Sequence, residues 1–221
     1  MEIKYLYHSG VSISYEDTLL IFDYYKKGVS EEDICRYEKI YVFVSHGHRD
    51  HFDREILSWK DFDADIQYIF SSDTGIDEAE NCHVMKPHET YTAGDLAIYT
   101  LDSTDEGVAF LVKSPKGSIF HSGDLNWWHW EGEPDEYNNG MGNRFKEEID
   151  RLKSESVEIA FIPVDKRLGT SQYYSIDYLM ETIDVKRVCP IHFWDDWEYI
   201  ERVKRDLVSR KYYNKIYFYG R

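Results

Sequence analysis

The stretch Ser45-His46-Gly47-His48-Arg49-Asp50-His51-Phe52-Asp53 places three imidazoles and a carboxylate inside six consecutive positions, directly after the apolar run Ile40-Tyr41-Val42-Phe43-Val44. Imidazole nitrogen and carboxylate oxygen suit Zn, Fe, Mn or Ni, and a hydrophobic strand ending in a tight Gly-containing loop is a rigid mount for them. In an extended loop, side chains two apart point the same way. His46 and His48 can therefore grip one ion, while Asp50 and His51, at the turn into the next segment, can swing towards a second. A single His beside a strand is usually a hydrogen-bonding surface residue, but so dense a set of donors after a buried strand is hard to explain as packing. One motif can seed a two-metal centre.

Outward from this loop the pattern alternates strands and helices. Towards the N-terminus, Ile3 to Tyr7, Val11 to Tyr15 and Thr18 to Phe22 read as strands, with a turn at Glu16-Asp17. Beyond the loop, Arg54 to Trp59 has helical spacing and Ile66 to Phe70 reads as a strand, which makes a βαβ unit with the metal loop at the carboxyl end of its first strand. Further strands are expected at Cys82 to Met85, Leu96 to Leu101, Gly107 to Val112 and Ser118 to Phe120, with a hairpin turn at Ser114-Pro115-Lys116-Gly117, and these imply a second sheet. Phe145 to Ser154, Ile176 to Ile183 and Glu201 to Tyr212 have helical periodicity. Val157 to Val164 and Lys215 to Tyr219 read as strands. The sum is an α/β fold, a four-layer αββα sandwich, and with no linker, low-complexity tract or repeat in sight, residues 1–221 read as a single domain.

The bulk properties narrow the partners. Forty-two acidic against 26 basic residues give a formal net charge of −16, which repels phosphate backbones and anionic membrane surfaces. Nucleic acid and membrane are disfavoured as partners, whereas a small anionic substrate is not, because a metal ion can reverse the local field. Cys35, Cys82 and Cys189 make an odd, unpaired set that suits a reduced compartment. The N-terminus has no signal-peptide core and no stretch approaches a membrane span, so a cytoplasmic protein with a small-molecule substrate is expected. Homo-oligomerisation is left open.

His46-x-His48-x-Asp50-His51 resembles the signature of the metallo-β-lactamase superfamily of metal-dependent hydrolases. Further elements fall in that family's order: Asp23 ends the strand Leu19-Leu20-Ile21-Phe22, Gly123-Asp124 follows Ser118-Ile119-Phe120, and His192 follows Arg187-Val188-Cys189-Pro190-Ile191. The opening Tyr7-His8-Ser9-Gly10 and the run Asp105-Glu106-Gly107-Val108-Ala109-Phe110 look most like the branch that includes ascorbate-6-phosphate lactonase. The resemblance implies Asp124 as a carboxylate bridging two metals and His192 as the residue that closes the second site with Asp50, His51 and Asp124. It implies one or two Zn2+ per chain, with Mn2+ or Fe2+ as alternatives. The family usually supplies a third His to the first metal after the strand that here ends at Leu101, yet the residues are Asp102-Ser103-Thr104-Asp105-Glu106-Gly107. The first site is then left with His46, His48 and Asp124, with Asp105 as a further candidate.

The reaction implied is hydrolysis of a small ester, lactone or phosphoester by a metal-activated water, with Asp50 orienting that water and later protonating the leaving group. Alternatives are a phosphodiesterase or nuclease of the same fold, and a non-catalytic metal-binding or sensing protein. Asp23 is a candidate hydrogen-bond partner for a metal-bound imidazole. Trp127 and Trp128, in Leu125-Asn126-Trp127-Trp128-His129-Trp130, can wall the pocket or merely cover a sheet edge. His8 is a further residue able to approach the site, and Lys166 and Arg167 are the best cations for an anionic substrate. His83, His88 and His121 read as structural.

Overall fold

Strict alternation along the central strands divides the core. In Thr18–Phe22 and Lys39–Val44, Leu20, Phe22, Tyr41 and Phe43 join one cluster of buried side chains, while Leu19, Ile21, Ile40, Val42 and Val44 join another. A strand buried on both faces needs a cover on each, and the computed structural model, which describes residues 1–62 and 64–219, supplies them as layers.

The first sheet holds β1 (Glu2–Tyr7), β2 (Gly10–Tyr15), β3 (Thr18–Phe22), β4 (Lys39–Val44), β5 (Ile66–Ser71) and β6 (Cys82–Met85) in that spatial order. It is antiparallel from β1 to β3 and parallel from β3 to β6. The second holds β7 (Thr90–Ala93), β8 (Leu96–Asp102), β9 (Val108–Ser114), β10 (Gly117–His121), β11 (Ser156–Pro163) and β12 (Asp184–Ile191), antiparallel to β10 and parallel thereafter. One apolar cluster takes in the facing sides of both sheets together with α2 (Asp135–Asp150), α3 (Tyr174–Thr182) and α4 (Trp197–Leu207). The second cluster packs the outer face of the first sheet against α1 (Glu31–Ile34) and the 3-10 turn Arg54–Asp61. This is the expected four-layer αββα arrangement.

The topology brings loops to one end. Parallel strands β3, β4, β10, β11 and β12 release their chains at Asp23, Ser45, Ser122, Val164 and His192, and the crevice outside the carboxyl ends of such strands is where α/β sheets bind ligands. Because Val11 pairs with Phe22, the tight turn between β1 and β2 that carries His8 lies at this same end.

Four expectations are corrected. Cys82–Met85 is the last strand of the first sheet, not the start of the second, because it pairs in parallel with β5. The helix expected from Phe145 starts at Asp135: Pro134 and the acidic residues Asp135 and Glu136 favour a helix start, and the polar, Gly-containing run that follows hides the apolar period. The last helix starts at Trp197, where the Asp196 carboxylate accepts from the Tyr199 N–H. Residues 215–219 form no strand. Ile216 makes an isolated bridge with Val188, while Tyr219 packs against Tyr5 and Phe193, so the β-forming residues there serve an aromatic cluster instead of a ladder.

Gly107 is where the layers come closest to the metal loop. It has φ +71°, and a Cβ there would stand 2.0 Å from the Ser45 carbonyl oxygen and 2.5 Å from His46 Cβ. Gly75 has a similar φ of +68° with nothing within 4 Å. Gly75→Ala is expected to cost about 1 kcal/mol for its left-handed backbone alone, and Gly107→Ala about 3 kcal/mol or more because the contact adds to the strain. Urea unfolding of the two variants measures the difference, and equal costs would contradict the close approach.

Candidate metal centre

The loop after β4 presents His46, His48 and His51; the His48 Nδ1 lies 3.0 Å from His46 Nε2, and the rings of His46 and His51 are held from outside the cluster. The His46 Nδ1 lies 2.9 Å from Ser45 Oγ, and the Ser45 hydroxyl and N–H both donate to Asp23 at 2.7 Å. Asp23 Oδ2 also accepts from His51 Nδ1 at 2.8 Å, so one fully buried carboxylate fixes two rings and turns His51 Nε2 inward. His192, after β12, has its Nδ1 2.9 Å from Asp165 Oδ2, and Asp165 is itself clamped by the Arg167 guanidinium at 2.5 to 3.0 Å. The hydrogen bond to Asp23 gives His51 a defined tautomer and direction, and Asp165 sets a carboxylate beside His192.

Asp124 stands between them. Its Oδ1 is 3.3 Å from His51 Nε2 and 3.5 Å from His192 Nε2, and its Oδ2 is 3.7 Å from His46 Nε2. Two groups with cation-holding geometry result: His46, His48 and Asp124 on one side, and His8, His51 and His192 on the other, the donor atoms of each lying within 4.8 Å of one another. The second group and Asp124 are buried, whereas His48 is 45% exposed. Among the described residues, His51 Nε2, Asp124 Oδ1 and both ring nitrogens of His8 are buried without a hydrogen bond. Buried polar atoms without partners are costly, and a divalent cation would satisfy His51 Nε2, Asp124 Oδ1 and one nitrogen of His8 together, so the residues present fit such an ion.

The electrostatics agree with a site made for positive charge. Burial and the neighbouring imidazoles of His192 and His51 hold His8 far below the usual histidine range, leaving it neutral. Burial, then His51, lowers His46 to about 4. His51 is raised to about 9: burial opposes protonation, but the carboxylates of Asp124 and Asp23 outweigh it. Burial works against ionised Asp124 and Asp23 too, and the imidazoles around them nonetheless keep both carboxyls below the ordinary range.

The structure gathers His46, His48, His51, Asp124 and His192, and sets Asp23 behind His51. Three expected residues sit differently. Asp50 is outside the second group: it is 33% exposed, with Oδ2 3.4 Å from His8 Nε2, and the third residue of that group is His8. Asp105 is outside the first group, because the loop is pinned by Arg144 donating to the Ser103 carbonyl and by Thr104 donating to the Asn126 carbonyl. Its carboxyl is pushed up by desolvation and by Asp124. Glu106 of the same loop approaches His48 Nε2 at 3.2 Å. Trp127 turns away onto α2 and α3, against Phe145, Tyr178 and Lys146, whereas Trp128 donates to the Asp124 carbonyl and packs edge-on to His192. Alternation of neighbouring side chains separates the two. His83 stacks on Tyr91, His88 meets Glu148, and His121 is buried against Phe22. Lys166 pairs with Asp196. Asp165 was not singled out from the sequence, though it follows a buried parallel strand, β11, as Asp23 follows β3.

A family model described as the beta-lactamase superfamily domain matches residues 2–133. No curated protein matches the chain. Among solved structures, the metallo hydrolase Igni18 from the archaeon Ignicoccus hospitalis superposes with a TM-score of 0.64 at 13% identity, over 99% of this chain and 94% of that one. The diiron β-hydroxylase CmlA from Streptomyces venezuelae gives 0.63 at 14% identity, over 96% of this chain and 51% of that one, so the chain spans about half of its length. The metallo-beta-lactamase fold protein YhfI from Bacillus subtilis gives 0.57 at 13% identity, over 89% and 84%. Likeness at this identity establishes the fold.

The buried carboxylate of Asp23 carries a measurable load of its own. Asp23→Asn keeps the volume and tolerates the observed φ of +45°, but the neutral amide loses its ion pair with His51 and one of its acceptors. It is expected to destabilise the metal-free protein by about 3 kcal/mol, read by urea unfolding in chelator. A change below about 0.5 kcal/mol, the scale of a surface substitution, would show that the Ser45–Asp23–His51 network is not formed.

Proposed function

This chain belongs to the metallo-β-lactamase superfamily, and from that premise we propose that it is a metal-dependent hydrolase acting on a small ester, lactone or phosphoester. The observation that carries the reading is Asp124, a buried carboxylate set between two groups of imidazoles. His46, His48 and Asp124 would hold one cation; Asp124, His51 and His192 would hold the other, with Asp50 at its edge. Zn2+ is the first choice for this donor set, with Mn2+ and Fe2+ as alternatives. A cation bound there supplies Lewis acidity towards a carbonyl or phosphoryl oxygen and lowers the pKa of water towards neutrality.

The chain's own groups do the rest. Asp50, half-open at the mouth, accepts a proton from the attacking water and returns it to the leaving oxygen. Asp23 holds His51 in one tautomer, and Asp165 sets its carboxylate beside the His192 ring. Trp128, 4% exposed and against His192, excludes bulk water from that side. Arg167 reaches the same face, over the Trp130 ring, with its charge felt at His8, and offers an anchor to an anionic substrate. The resemblance of Tyr7-His8-Ser9-Gly10 to the ascorbate-6-phosphate lactonase branch supports a phosphorylated lactone as one member of the substrate class. The net charge of −16 opposes a polyanion. Among the described residues no helix is long and apolar enough to cross a membrane.

Two outcomes are expected. Turnover of aryl esters or bis-aryl phosphodiesters should depend on added Zn2+ or Mn2+ and fall at least about a hundredfold in Asp50→Ala, the scale of a lost general acid–base; the absence of metal-dependent turnover across such a panel would contradict the enzyme reading. The deeper group keeps the fuller donor set, so at limiting zinc the bound ion should be lost in His192→Ala and kept in His46→Ala, as measured by elemental analysis of the dialysed protein. The reverse pattern would overturn that order.

A further inference from the structure

His8 sits in the two-residue turn between β1 and β2 with a left-handed backbone, φ +55°, and its ring is fully buried with neither nitrogen hydrogen-bonded. Its backbone carbonyl accepts from the N–H of His192, itself at φ +69°. Its ring lies 4.1 Å from that of His192 and 5.2 Å from that of His51, and Trp194 closes its far side by stacking at 3.9 Å. A non-glycine residue held at positive φ is a local cost that persists where the surroundings demand it. Here the result is an imidazole delivered, without a hydrogen-bond partner, beside His51 and His192.

We propose that His8 is a metal ligand, so that the deeper site is a three-imidazole site, His8, His51 and His192, completed by Asp124. The inference rests on the metal-centre reading above and adds to it a donor from outside the metal loop. It also frees Asp50. With the third nitrogen supplied by His8, the Asp50 carboxylate, 3.4 Å away and reaching solvent, remains available for proton transfer. A nitrogen-rich deeper site beside a first site of two imidazoles and a shared carboxylate would prefer the softer, imidazole-seeking cations, Zn2+ among them, more strongly than its neighbour does.

The test counts nitrogen donors. Protein labelled with 15N-histidine and loaded with 113Cd2+ should give one cadmium resonance split by three imidazole nitrogens, corresponding to His8, His51 and His192, and a second split by fewer. In His8→Asn, chosen because Asn also accepts positive φ but is too short to reach the ion, the first resonance should lose one coupling and move upfield. Its zinc affinity, by competition with a chromophoric chelator, should fall more than tenfold. A wild-type spectrum in which no cadmium couples to more than two imidazoles overturns the assignment of His8 while leaving the metal centre intact, as does a His8→Asn spectrum with all couplings kept. A wild type that takes up no cadmium overturns the metal-centre reading itself, and this inference with it.

Discussion

A carboxylate taken out of water must be neutralised, and Asp124 is the place where this protein takes on that constraint. It is 5% exposed, and three imidazole nitrogens from two distant parts of the chain surround it at 3.3 to 3.7 Å. Desolvation alone would protonate it; the imidazoles reverse that. Because those imidazoles sit on the exits of β4 and β12 and the carboxylate on the exit of β10, the charge can be matched only if both sheets are complete and correctly apposed. The site and the sandwich are two descriptions of one requirement.

Behind the inner donors stands a second set of groups that keeps them pointed. Asp23 accepts from Ser45 twice and from His51 once, and Asp165 is held between His192 and Arg167. Both acids follow buried parallel strands, β3 and β11, so the same local event occurs twice: an apolar strand ends, and the next carboxylate turns into the crevice. The backbone is left-handed at His8, Asp23 and His192, so part of the fold's backbone strain is carried beside the cluster.

Much of this was legible in the sequence, for a physical reason. The metal loop could be read because its donors are contiguous and follow an unmistakable apolar strand, and Asp23, Asp124 and His192 each follow another such strand. The four layers followed from alternating strand and helix periods. What could not be read depended on geometry between segments. Whether His8 or Asp50 supplies the third donor beside His51 and His192 turns on the backbone sign at residue 8 and on a hydrogen bond to residue 192, neither of which leaves a trace in composition. Asp165 was hidden because its partner lies 27 positions later. The missed start of α2 lay in Asn138, Asn139, Gly140 and Gly142, whose polarity obscures a helix that buries mainly Phe145 and Ile149 among apolar side chains. Trp127 and Trp128 are adjacent in sequence, and only the packing shows that one belongs to the helical layer and the other to the crevice.

The shared carboxylate is best tested by anomalous diffraction from zinc-loaded crystals. The account predicts two zinc peaks flanking Asp124, about 3.5–4 Å apart as in other two-metal sites, one beside His46 and His48 and the other beside His51 and His192. A map with no peak inside the cluster, or with zinc bound and the Asp124 carboxylate turned away from it, would contradict the account.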